Sequence, residues 1–385
     1  MNELMKNEMK GLYLFNKYPE IINGKDKGTV HKFPFIEGNY SSHTIVVETM
    51  RGLPIALASG MNFLMPEQAP KIQIEYHKET FGLETKAVEI IPFDNENPEE
   101  YESIINNLPE KSLIVLQPYD NFLEKVYSVD PKVLWKLNSK SNLIEIAEGF
   151  TPKRIKKSLE QLLAGTTPFV VKKSYPGAAG DGVKVVKDIK NVDFSSFLND
   201  DHPFFVEEFI DFQHNYGIQF FIDKQGQSHY FGHNYQQTSQ EGEFLGVTCF
   251  LGGNPPSELL DIGYEICENI AKTGYFGFAG LDSITKDGKY YIIDPNIRIT
   301  ASTPAFVLKE QLMDIYGSPF VQLSFVEIKA KSPVQVVETI DKYGGKLLSM
   351  SHPTEKESYK CYAFFGGSSP EMALDNFIKF KEVTQ

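Results

Sequence analysis

The stretch FVVKKSYPGAAGDGVKVV, Phe169 to Val186, sets two β-rich apolar runs around a loop that holds Gly177, Gly180 and Gly182, with Lys172 and Lys173 closing the first run. A phosphate-binding loop of the Walker A kind would read GxxxxGK[ST] and open into a helix whose N-terminus helps hold the anion. Here the lysines precede the glycines and VKVV after them has strand character, so the element is predicted to be a β-hairpin. A dinucleotide-binding GxGxxG turn fails for the same reason, since it too needs a helix after it. Glycines let successive backbone N–H groups form an anion-binding concavity, and a neighbouring lysine adds a point charge. Two readings stay open on this stretch alone: a flap over a nucleotide's phosphates with Lys172 reaching them, and an ordinary glycine-rich hairpin loop.

The sequence downstream decides between them. GLDSITKDGKYYIIDPNIRIT, Gly280 to Thr300, reads as two antiparallel strands around the turn KDGK. Asp282 sits in the first strand, while Asp294 and Asn296 sit two apart in the second and therefore share a face. Carboxylate and amide oxygens without His or Cys suit Mg²⁺, which is held by a few protein oxygens plus nucleotide phosphates. Asp, Pro and Asn are also turn formers, but YYII before them and IRIT after them have strand character. Polar residues there would be costly to bury without a ligand. Arg298 follows at the next even spacing and is expected on the same face as Asp294 and Asn296.

The rest of the chain sets limits. Its 385 residues are 41% hydrophobic, enough apolar material for two or three domains. A net charge of −13 argues against nucleic acid as the main partner, because phosphate backbones need clustered Lys and Arg. Three cysteines, Cys249, Cys267 and Cys361, with no CxxC spacing predict neither a disulfide framework nor a zinc site and fit a reducing cytoplasm. No window of about 18 apolar residues occurs, so no transmembrane helix is expected, and the charged N-terminus lacks a signal peptide's apolar stretch. From Thr44 to Pro118, β-rich runs at Thr44–Val47, Ile72–Tyr76, Ala87–Pro92 and Leu113–Pro118 alternate with helix-compatible stretches such as Pro98–Leu108. That alternation predicts a small α/β domain with a mostly parallel sheet. Ser128 to Ile155 is helical in pattern, a second helix is expected to reach Leu163, and one of about 15 residues is expected from Ser257 to Lys272. PEMALDNFIKF near the C-terminus reads as a short amphipathic helix. His229 and His233, four apart on a strand-like segment without an HExxH glutamate, read as hydrogen-bonding histidines, and Cys249 as a small buried residue rather than a nucleophile. Gln240–Thr248 reads as a glycine-containing loop over an acceptor substrate.

The order of these motifs resembles that of the ATP-grasp enzymes from about Asn138 to Thr303. NSK at Asn138–Lys140, ahead of a helix and of Thr151 and Pro152, is similar to the stretch that carries the family's first ATP-binding lysine, which makes Lys140 that residue. FVVK matches the second, Lys172, and PGAAGDG the phosphate loop of Gly177, Gly180 and Gly182. VEEFI resembles the interdomain hinge that receives adenine, with Glu207, Glu208 and Ile210; DFQHNYG offers Asp211 or Asn215 to a ribose. The resemblance makes Asp282, Asp294 and Asn296 metal ligands, with Asp294 standing where the family usually has glutamate, and makes Arg298 the arginine that stabilises an acyl phosphate. It implies an α/β (α+β) ATP-grasp fold with an N-terminal α/β pre-ATP-grasp domain at 1–127, the ATP-grasp domain at 128–330 with a lid at about 151–210, and a C-terminal subdomain at 331–385. It further implies ATP with Mg²⁺ or Mn²⁺ and a ligase that captures an acyl phosphate with an amine. Within the family the chain looks most like the carboxylate–amine ligases of peptide and natural-product pathways, including those related to the pheganomycin peptide ligase. Expected partners are small amino-acid or peptide-like carboxylates and amines. A carrier-protein thiol as acceptor, or a nucleotide-binding regulator without turnover, are the competing outcomes. No nucleic-acid or membrane partner is expected, and a homodimer is the commonest assembly for such enzymes.

Overall fold

The computed structural model describes residues 1–14, 52–66, 71–83, 88–91, 103–114, 123–155, 161, 168–174, 182–188, 203–238, 244–351, 353 and 358–384. The chain divides into two compact units: Met1–Lys132 with Gly246–Gly253 and Arg298–Gln385, and Val133–Leu245 with Asn254–Ile297.

The first unit begins with helix α1 (Glu3–Met9), capped by the Asn2 side chain, which accepts a hydrogen bond from Met5 N–H. Strands β1 (Tyr13–Leu14), β2 (Asn62–Pro66), β3 (Val88–Ile91) and β4 (Leu113–Ile114) form a parallel sheet in the order β3-β2-β1-β4. This is the α/β arrangement expected from the strand–helix alternation; the run at Thr44–Val47 lies outside the described residues. Ile72–Tyr76 departs from expectation, because it lies in helix α2 (Ile72–Phe81). Its apolar residues alternate like a strand, but the buried positions are Gln73, Tyr76, His77 and Phe81, at helical spacing. Two of them are polar, so the buried face is invisible to a hydrophobic reading.

The second unit starts with α3 (Pro131–Asn138), a 3₁₀ turn at Lys140–Asn142 and α4 (Leu143–Ile146). Strands β5 (Phe169–Lys173), β6 (Val183–Val186) and β7 (Phe204–Glu208) then make a three-stranded antiparallel sheet with β5 in the centre. The element around the glycine loop is thus a hairpin, and no helix follows its glycines. Phe169, Val171, Val186 and Val206 pack on one face of it, which leaves Lys172 and Glu207 to the other by strand alternation. Next come β8 (His214–Ile222), β9 (Ser228–Thr238), β10 (Phe244–Phe250, which from Gly246 on belongs to the first unit), α5 (Ser257–Ala271), β11 (Gly277–Lys286) and β12 (Lys289–Asn296). In this unit the strand order is β12-β11-β8-β9, antiparallel throughout.

Alternation along these strands separates an apolar face from a polar one. Ile218 and Phe220 of β8 lie under α5, whose buried residues Leu259, Ile262, Gly263, Ile266, Cys267 and Ile270 keep helical spacing. A Cβ at Gly263 would come 2.5 Å from the Phe220 ring, so the helix approaches the sheet this closely only with glycine there. The opposite face of β8 carries Asn215, Gly217 and Gln219.

Returning to the first unit, α6 (Thr303–Val307), α7 (Lys309–Tyr316), β13 (Phe320–Lys329), α8 (Pro333–Lys342), β14 (Gly345–Met350), β15 (Ser358–Gly367) and α9 (Pro370–Thr384) complete the chain. β10 pairs with β13, β13 with β15 and β15 with β14. The helix expected at PEMALDNFIKF is α9, which runs on to Thr384, with Phe377 and Phe380 packed against Phe365. Helix α2 binds the backbone of β14 through side chains. The Gln73 amide donates to Met350 C=O at 3.1 Å and accepts from Met350 N–H at 2.7 Å, while His77 Nε2 donates to Leu348 C=O at 2.8 Å. Among the described residues no helix is long and apolar enough to cross a membrane.

Candidate active site

The β11–β12 hairpin sets two carboxylates face to face, since Asp282 pairs with Asp294 across it. The register then slips by one residue: Ser283 pairs with Ile292, so Ile293 has no opposite number. Such a bulge leaves one residue outside the ladder and bends the strand. Pro295 is tolerated because β12 is an edge strand. Asp-Pro-Asn is therefore strand, as the flanking residues suggested, although the strand ends at Asn296 and the expected continuation through Ile297–Thr300 is absent. Arg298 lies beyond the strand, so even spacing does not orient it; it is buried and falls in the other unit.

The amide of Asn296 donates to Asp282 Oδ2 at 2.9 Å, and the amide of Gln236, on β9, donates to Asp282 Oδ1 at 2.6 Å. Asp294 Oδ1 is buried without a hydrogen-bond partner. A bare carboxylate oxygen away from water is costly unless something cationic meets it. Lys140 Nζ lies 3.7 Å from it, an ion pair longer than a hydrogen bond. An orphaned carboxylate oxygen beside a second carboxylate and a carboxamide fits a hard divalent cation with oxygen ligands.

Two lysines from distant parts of the chain meet this hairpin. Lys140 is placed by Asn138, whose side chain donates to Leu134 C=O at 2.9 Å and to Ile297 C=O at 3.1 Å and accepts from Ile297 N–H at 2.9 Å. Asn138 thus acts as an artificial strand partner for Ile297, the residue after Asn296, and ties the lysine's turn to the end of β12. Lys172 donates to the carbonyl of Ile293 at 2.7 Å, the group that the bulge leaves out of the ladder, and pairs with Glu207 Oε2 at 2.7 Å. Lys172 and Glu207 lie diagonally across β5 and β7, since Glu207 is opposite Val170. An ammonium has three N–H donors, and these two contacts account for two.

The two hinge glutamates have different surroundings. Glu207 is buried with Lys172, whereas Glu208 accepts from Lys153 N–H at 2.9 Å at the surface. Ile210 is half-buried in the segment that joins β7 to β8, Asp211 is exposed, and Asn215 Oδ1 is buried without a hydrogen-bond partner. Gly182 has a positive φ of 68° and its carbonyl accepts from Lys173 N–H at 2.8 Å. Gly177, Gly180 and residues 240–243 of the expected acceptor loop lie outside the described residues, while Phe244–Thr248 of that loop is strand, part of β10. Sequence reasoning missed Gln236 and the clamping role of Asn138; a polar residue at every second position of β9, Asn234 then Gln236, was the available signal.

The remaining candidates resolve simply. His233 Nδ1 and the Tyr230 hydroxyl share a hydrogen bond at 2.7 Å, and burial pushes the His233 pKa down to about 4, so the ring is neutral. His229 meets Asp223 at 2.9 Å. All three cysteines are free and buried, and burial pushes their thiols up, away from nucleophilic use.

Residues 150–296 match a family described as L-aspartate–L-methionine ligase, ATP grasp. Three similar solved structures share the fold. L-amino acid ligase from Bacillus licheniformis is 15% identical with a TM-score of 0.55, covering 87% of this chain and 95% of that one. N5-carboxyaminoimidazole synthetase from Staphylococcus aureus complexed with ADP is 10% identical with a TM-score of 0.57, covering 86% and 94%. The biotin carboxylase domain of the Hydrogenobacter thermophilus 2-oxoglutarate carboxylase, solved with MgADP, ADP and bicarbonate, is 12% identical with a TM-score of 0.53, covering 89% and 88%. The family match covers the hinge and the hairpin, and the chain shares the fold of these solved structures along most of its length.

Proposed function

We propose that the protein is an ATP-dependent ligase that joins a carboxylate to an amine through an acyl phosphate, releasing ADP and phosphate. A substrate carboxylate oxygen bonds to the γ-phosphorus of ATP as ADP leaves; the amine then bonds to the acyl carbon as phosphate leaves, giving the amide. The observation that carries this reading is the convergence of Lys140 and Lys172 on Asp294 and its neighbour Ile293, beside Asp282 and Asn296. A reaction between two anions requires fixed positive charge where they meet, and this arrangement supplies it.

Each residue then has a role. Lys140 and Lys172 hold phosphate oxygens. Glu207 keeps Lys172 in place and, with Glu208, Ile210 and Asn215, borders the nucleoside. Gly177, Gly180 and Gly182 close over the phosphates and exclude the water that would hydrolyse an anhydride. Asp282, Asp294 and Asn296 hold Mg²⁺, which supplies charge neutralisation to the phosphates when bound. Arg298 offers a two-point contact to the acyl phosphate. An amino acid is the preferred carboxylate, since the matching family is described by an aspartate–methionine ligation and one structural neighbour is an amino acid ligase.

The test is phosphate release from ATP and Mg²⁺ with amino acids offered in pairs, L-aspartate with L-methionine first, and mass determination of the product. Release that needs both a carboxylate and an amine, with a product lighter than the pair by one water, supports the reading. ATP binding without ADP formation for every pair overturns it in favour of a regulator; turnover only with a phosphopantetheinylated carrier protein overturns the amine as acceptor.

A further inference from the structure

One contact on the polar face of the second unit has no part in the roles above. Gln236 belongs to β9 and Asp282 to β11, with β8 between them. Neighbouring strands lie about 4.8 Å apart, so the two backbones are separated by about 10 Å. The glutamine amide nevertheless reaches Asp282 Oδ1 at 2.6 Å. Gly217 of β8 is opposite Asp282 on one side and opposite Asn234 on the other, so Gln236, two residues beyond Asn234, reaches Asp282 on a diagonal. A Cβ at Gly217 would lie 2.8 Å from the Asn234 carboxamide, so the space over the glycine is already filled from β9.

We propose that Gln236 is a positioning residue for the metal-binding carboxylate Asp282. The proposal rests on the ligase reading, in which Asp282 is a metal ligand. The terminal torsion of an aspartate is broad, so a lone carboxylate presents a spread of lone-pair directions. Gln236 on one oxygen and Asn296 on the other hold its plane from both ends. The amide orientations follow from chemistry, because a carboxylate accepts only from the nitrogen side of a carboxamide. Donors on both oxygens restrict the torsion of Asp282, and with it the directions in which the carboxylate can meet a cation. Loss of such an outer partner typically weakens metal binding about 10- to 100-fold.

The test measures Mn²⁺ binding by electron paramagnetic resonance on the full chain, with a saturating non-hydrolysable ATP analogue, in the wild type, Gln236→Leu, Gln236→Asn and Asp282→Asn. Leucine keeps the bulk and removes the donor; asparagine keeps the donor but falls one methylene short. Both are expected to raise the Mn²⁺ dissociation constant about tenfold or more, with unchanged binding of the analogue in the absence of metal. Gln236→Asn decides the matter if the leucine variant does not fold. Wild-type Mn²⁺ binding in a folded Gln236 variant, with binding lost in Asp282→Asn, overturns this inference and leaves the ligase reading intact. Wild-type binding in Asp282→Asn overturns the metal site itself.

Discussion

Replacing Lys172 with methionine should have two separable effects. The ammonium lies 2.7 Å from Glu207 Oε2 and 2.7 Å from Ile293 C=O, with the lysine and glutamate side chains 7% and 4% exposed. Methionine keeps most of the stem's volume and removes the charge. Glu207 is then left as a buried carboxylate without its partner, and breaking a buried pair from one side costs about 3–5 kcal/mol. The double variant K172M/E207Q removes the stranded charge and should recover most of that loss. Neither variant restores the cation for phosphate, so ATP affinity and turnover should stay low in both, with kcat/KM down by about 10²–10³. Urea unfolding followed by Trp135 fluorescence measures the first effect, since this single tryptophan sits in the same unit as the pair. ATP titration calorimetry and phosphate release measure the second. A K172M protein as stable as wild type would refute the buried-pair reasoning, and a double variant that regains ATP affinity would refute the role of Lys172 in holding phosphate.

Two further predictions concern stability alone. Gly263→Ala gains about 1 kcal/mol of helix propensity but drives a methyl to within 2.5 Å of the Phe220 ring, an overpacking that typically costs 1–3 kcal/mol; a net loss of about 1 kcal/mol is expected on denaturant titration, and a gain would mean that α5 can lift from the sheet freely. His77 is fully buried, its Nε2 donates to Leu348 C=O, and its Nδ1 has no hydrogen-bond partner, so burial pushes its pKa from 6.5 down to about 4. Between pH 6.5 and pH 4 the unfolded chain takes up a proton that the folded one refuses, so stability present above pH 6.5 falls as the pH drops through that window, by about 3 kcal/mol for this group. His77→Gln should flatten that part of the stability–pH curve, and an unchanged slope would count against a neutral buried His77.

The fold class was legible because it depends on short-range pattern. Strand–helix alternation in the N-terminal third, the turn KDGK between two β runs and the helical stripe of Ser257–Ala271 are local signals that burial reinforces. Ile72–Tyr76 was misread because its buried helical face is formed partly by Gln73 and His77, which bond to the backbone of β14 more than 270 residues away. No local hydropathy scale records such a partner.

The site shows the same division. Residue types and spacing alone singled out Lys172, Asp282, Asp294 and Asn296, because carboxylates and a carboxamide inside an apolar β run are expensive to bury and ask for a reason. What only the folded chain decided is how they meet. The slip at Ile293 exposes a carbonyl to Lys172, Asn138 ties Lys140 to the end of β12, Glu207 rather than Glu208 turns inward, and Gln236 reaches Asp282 from two strands away. Sequence sets side-chain chemistry and alternation along one strand, whereas register, bulges and gaps between strands arise from pairing distant segments, and these fix the distances on which electrostatics depends.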